Sequence, residues 1–70
     1  MDRFKSLEQR INQNFNFHDS LFGSIIEIGL WDVFRMSKNV IEARMGSIVV
    51  TFEWNGLSND PYFHATKVSE

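Results

Sequence analysis

The residues with the most chemical promise are Phe17-His18-Asp19-Ser20, with a second histidine far along the chain at His64. Adjacent His and Asp are donor types of metal-dependent hydrolases, and His64 would add a nitrogen ligand. A metal site needs three or four ligands converging from fixed elements, with outer-shell support. This chain holds two His and no Cys, and no His-x-x-x-His spacing puts both imidazoles on one helix face. The plainer reading is that Asp19 and Ser20 cap a turn between helix and strand while His18 fills the joint. A Ser-His-Asp set can be written from Ser20 or Ser24 with His64 and Asp60, yet no glycine-framed nucleophile elbow supports it. The nine acids lie scattered, with no paired motif for glycoside hydrolysis. Gly23, Gly29, Gly46 and Gly56 are separated by whole elements and read as turns or bulges, not as a phosphate-cradling loop. The expectation is no catalytic residue, no metal and no cofactor.

Binding is the chemistry that remains. Seven Phe, two Trp and one Tyr give ten rings in 70 residues. A one-sided sheet under one helix cannot easily cover them all, and surface aromatics are common anchors of protein interfaces. In residues 53–62, Trp54 and Tyr62 bracket a polar loop with no evident packing duty. Trp54, Asn55, Asn59, Asp60 and Tyr62 are therefore the expected protein-binding residues. The competing account places Trp54 in the core, because it follows Phe52 at strand spacing.

The elements that must position these residues belong to one domain, since 70 residues leave no room for a second. A single core of this size supplies roughly 3–5 kcal/mol, and without Cys there is no disulfide to add to it. The formal charge is −2, with seven Lys and Arg spread from Arg3 to Lys67. Nucleic-acid binding runs on clustered cations, so none is expected. Asp19 and Glu27 interrupt the least charged stretch, which argues against a transmembrane helix, and the first residues lack a secretory h-region. A reducing, cytoplasmic setting is the simplest expectation.

Phe4, Leu7, Ile11 and Phe15 recur at spacings of three and four, predicting an amphipathic helix within residues 2–15. Asn12, Asn14 and Asn16 weaken it, so it should end near Asn14. Further on, Ile41, Ala43 and Met45, then Ile48, Val50, Phe52 and Trp54, alternate with other residues at the period of a half-buried strand. Gly46-Ser47 between them suits a type II′ turn pairing Met45 with Ile48, Ala43 with Val50 and Ile41 with Phe52. A turn at Lys38-Asn39 would pair Met36 with Ile41 and Phe34 with Ala43 on the inner face, leaving Arg35 opposite Glu42 outside. The alternative is a second helix at about 31–45 with Gly46 as its C-cap. Residues 21–28 read as a strand with Phe22, Ile26 and Ile28 on one face, and residues 62–68 as a final edge strand after Pro61. The expected class is α+β: an N-terminal amphipathic helix packed on an antiparallel meander of four to five strands.

The stretch Asn16-Phe17-His18-Asp19-Ser20-Leu21, followed by Ser24-Ile25-Ile26-Glu27-Ile28, resembles the opening of some small bacterial immunity-type proteins. In those, a Phe/Leu-His-Asp-Ser/Ala motif leads into the first strand of an antiparallel sheet. The resemblance covers about a dozen residues and departs from the pattern in its shorter length after the His64-Ala65-Thr66-Lys67-Val68 segment. It implies a stoichiometric binder that neutralises another protein, and it carries over only His18 and Asp19. The leading expectation is thus a non-catalytic protein-binding protein: an immunity or inhibitor protein, an antitoxin, or a phage counter-defence factor. A homo-oligomeric structural module is the alternative, and a small metal-dependent enzyme comes third.

Overall fold

The apolar stripe at spacings of three and four becomes one helix in the computed structural model, which describes residues 2–16, 23 and 25–70. A turn of 3-10 helix (Asp2–Phe4) leads into α1 (Lys5–Asn14), and Phe4, Leu7, Ile11 and Phe15 are all buried. The asparagines end the helix as their chemistry suggests. Asn12 and Asn14 turn their amides back to the carbonyls of Glu8 and Arg10, at 3.0 and 2.8 Å. Phe15 then takes an extended conformation while its N–H still bonds Ile11 O at 2.8 Å.

Five strands follow: β1 (Ile25–Ile28), β2 (Trp31–Arg35), β3 (Val40–Met45), β4 (Ile48–Glu53) and β5 (His64–Ser69). They form one antiparallel sheet in the order β1-β2-β3-β4-β5, an open meander with α1 on one face. The β3–β4 hairpin has the anticipated register, with Met45 opposite Ile48, Ala43 opposite Val50 and Ile41 opposite Phe52. Gly46 has φ +60° and, among the described residues, no residue other than glycine has positive φ, as a type II′ turn at Gly46-Ser47 requires. Residues 31–45 form two strands, not a helix. Of the strand expected over residues 21–28, Ile26 and Ile28 face the core, whereas Phe22 lies outside the described residues. The last strand begins two residues later than expected, at His64, which leaves Pro61 and Tyr62 in the preceding loop.

The β2–β3 register differs by one residue from the expected one. Val33 faces Ala43 and Arg35 faces Ile41, so Phe34 and Met36 point away from the core. A one-residue slip sends every side chain to the other face, and Arg35 decides which face wins. It is fully buried, and its guanidinium donates to Ser37 O at 3.2 Å, Asn16 O at 2.9 Å and Lys38 O at 2.8 Å. Its Cζ also lies 5.4 Å from the centre of the Phe63 ring. Placing Arg35 inside lengthens the β2–β3 connection, where Met36 and Ser37 N–H groups bond Val40 O at 2.9 and 3.2 Å. Glu42 pairs with Arg44 at 2.6 Å, not with Arg35.

α1 also closes the outer edge of the sheet. The Asn12 side chain accepts from Phe63 N–H at 2.8 Å and donates to Phe63 O at 3.0 Å, so its amide acts as a short piece of a sixth strand. Glu8 Oε1 accepts from Ala65 N–H at 2.8 Å. Nearer the helix start, Arg3 forms an ion pair with Glu70. The helix therefore runs antiparallel to β5, capping edge groups that would otherwise recruit another strand.

Candidate functional site

Connectivity sorts the loops between two ends of the sheet. The β1–β2 and β3–β4 turns share one end with the start of α1; the β2–β3 loop, residues 54–63 and Asn16 share the other. The expected binding residues lie at this second end, and the loop they occupy turns out to be built around Trp54.

Trp54 is 8% exposed, so it belongs to the core and its ring is not offered at the surface. Its backbone N–H donates to Asn39 O at 2.9 Å, joining this loop to the β2–β3 loop. The indole N–H donates to Leu57 O at 3.0 Å and to Asp60 O at 2.9 Å, folding the backbone over the ring. Lys38 Nζ lies 5.8 Å from the ring centre, within reach of a cation–π attraction. A loop that looked free of packing duty in the sequence is thus tied down from beneath.

The polar residues brace the same turn from outside. Asn55 donates its amide to Asp60 Oδ2 at 3.0 Å, while its Oδ1 accepts from Leu57 N–H at 2.9 Å. Asp60 N–H bonds Leu57 O at 3.2 Å. His64 Nε2 sits 3.1 Å from both carboxylate oxygens of Asp60, which anchors the loop to the start of β5. Asn55 and Asp60 therefore shape the loop; Asn59 is exposed and makes no side-chain hydrogen bond among the described residues. Tyr62 is 56% exposed, and Leu57 in the same loop is 55% exposed. Leu57 was not among the expected contacts. A lone apolar residue between Gly56 and Ser58 was the signal that could have drawn attention to it.

The Asp60–His64 pair is the half of the Ser-His-Asp set that the structure brings together. No hydroxyl joins it among the described residues, and Ser20 and Ser24 lie outside them. The Phe17-His18-Asp19-Ser20 motif is outside them as well. Among the described residues no group of three or more His, Asp or Glu is gathered to hold a metal ion, and no helix is long and apolar enough to cross a membrane. No family model, curated protein or solved structure matches this chain.

Proposed function

We propose that this chain acts by binding another protein stoichiometrically, in the manner of an immunity or inhibitor protein, an antitoxin or a phage counter-defence factor. Its contact surface is residues 55–62, centred on Leu57 and Tyr62. One observation carries this reading: a loop held from below by the Trp54 indole keeps two large apolar side chains more than half exposed. Exposed apolar groups weaken solubility, and the core gains nothing from them. Held on an ordered loop they lose little conformational entropy on association, which is the condition under which a small surface binds well.

The test begins with capture of the tagged chain from its host and identification of a stoichiometric partner. Calorimetry then compares the parent with a Leu57→Ala, Tyr62→Ala double variant. Affinity should fall about 30-fold, equivalent to about 2 kcal/mol from paired interface anchors, with an unchanged far-ultraviolet spectrum. Equal affinity in the folded variant rejects this surface.

Self-association is a second reading, favoured by the sheet face that α1 does not cover. Ile25 and Met36 are 66% and 49% exposed there, beside half-buried Phe34. On that reading sedimentation equilibrium finds an oligomer that Phe34→Lys dissociates, whereas the first reading expects a monomer with or without the substitution.

A further inference from the structure

The opposite end of the sheet carries a feature that this reading leaves unused. The start of the helical segment and the β1–β2 and β3–β4 turns border an open hollow of about 430 Å³, lined by Phe4, Trp31, Met45 and Ile48 together with the exposed Arg3 and Arg10. The volume falls within the roughly 300–1,000 Å³ of small-molecule sites, which are mostly apolar with a few placed polar groups. Trp31 is half-buried, and its ring meets Phe4 edge to face with centroids 5.8 Å apart.

The two arginines are not equivalent. Arg3 is engaged by Glu70, and its guanidinium stacks on Phe4 at 4.7 Å from the ring centre. Arg10 has neither an ion pair nor a side-chain hydrogen bond among the described residues. Its Nη1 lies over the β1–β2 turn, 3.3 Å from where a Cβ on Gly29 would stand. Gly29 has φ +59°, and its lack of a side chain leaves room for the guanidinium beside the hollow that both residues line. One unanswered cation over an apolar floor matches a ligand with one anionic head and one apolar tail. The planar fork of a guanidinium can hold a carboxylate through two parallel N–H···O bonds.

We propose that this hollow binds a small amphiphilic monocarboxylate, its tail against Phe4, Trp31 and Ile48 and its carboxylate on Arg10. The walls come from three separate elements, which makes the site concave and suits a small molecule better than a flat protein surface. It lies at the far end of the sheet from residues 55–62, so neither proposal depends on the other.

Decanoate, below its micelle concentration, is a direct probe. In an amide NMR titration it should give saturable shifts at residues 29–31 and 45–48, with a matching change in Trp31 emission. Arg10→Gln, a change at an exposed side chain without bonds, should weaken decanoate about tenfold, as expected for losing a charge-assisted hydrogen bond. Decanol, with the same tail and no carboxylate, should bind the parent at least as weakly. Absence of saturation, or shifts confined to other residues, overturns the site. Equal binding of decanol and decanoate by the parent, or of decanoate by parent and variant, overturns the recognition of a carboxylate.

Discussion

Arg35 and Trp54 are polar-tipped side chains in a core where each donor has a backbone carbonyl to meet. For Arg35 these are the carbonyls of Asn16, Ser37 and Lys38, contributed by two separate stretches of chain. A lysine donates from a single point and cannot span them, whereas a guanidinium fork can. Arg35→Lys should therefore lower stability by about 2 kcal/mol or more in urea denaturation followed by circular dichroism. Arg35→Ala leaves carbonyls short at about 1–3 kcal/mol each, enough to unfold a domain whose margin is roughly 3–5 kcal/mol. A parent-like midpoint for Arg35→Lys would contradict the role given to the fork. Trp54→Phe keeps an aromatic ring and deletes the N–H that holds Leu57 O and Asp60 O. It should cost about 1–2 kcal/mol and speed amide exchange at Leu57 and Asp60. If residues 55–62 are the contact surface proposed above, partner affinity should drop even though Leu57 and Tyr62 remain. Unchanged exchange at those amides would mean that the loop holds itself.

Among the elements, the β3–β4 hairpin was the most legible in the sequence, because alternation on both sides of Gly46-Ser47 admits one register with all apolar partners on one face. Gly46→Val should lower stability by about 1 kcal/mol or more. An added Cβ meets nothing within 4 Å, so the loss would come from the backbone alone; an unchanged melting midpoint would contradict the turn type. The β2–β3 register was not legible. Phe34 and Met36 read as core and Arg35 as surface, since a lone arginine carries no sign that distant carbonyls will converge on it. The loop proposed to bind was half legible: Tyr62 is exposed as expected, but Trp54 lies beneath the loop, where the alternation from Phe52 already pointed. Sheet-edge protection was invisible too, because Glu8 and Asn12 sit on the polar side of a helical wheel. A Glu8→Ala, Asn12→Ala double variant strips β5 of those bonds at Phe63 and Ala65. It should self-associate with rising concentration in analytical ultracentrifugation, where the parent's edge stays blocked. A variant that sedimented like the parent would contradict the blocking role given to Glu8 and Asn12.

At the scale of the molecule, the Cα radius of gyration of 11.1 Å agrees with the roughly 11 Å expected of 70 compact residues. The sheet is assembled from neighbours: each strand pairs with the one before it, across connections of 10 residues or fewer. The helix is the exception. Its bonds to β5 join residues 51 and 57 positions apart, and the Arg3–Glu70 pair spans 67. During translation α1 therefore emerges well before β5, the strand whose edge it bonds. Until β5 clears the exit tunnel, Glu8 and Asn12 lack the backbone groups of Phe63 and Ala65 that tie the helix to the sheet edge. An arrest-peptide force profile should accordingly show one late peak, after Ser69 has emerged, and no earlier peak when the β3–β4 hairpin does. Until that point β4 has no partner on one side, and this is when a chaperone has most reason to hold the nascent chain.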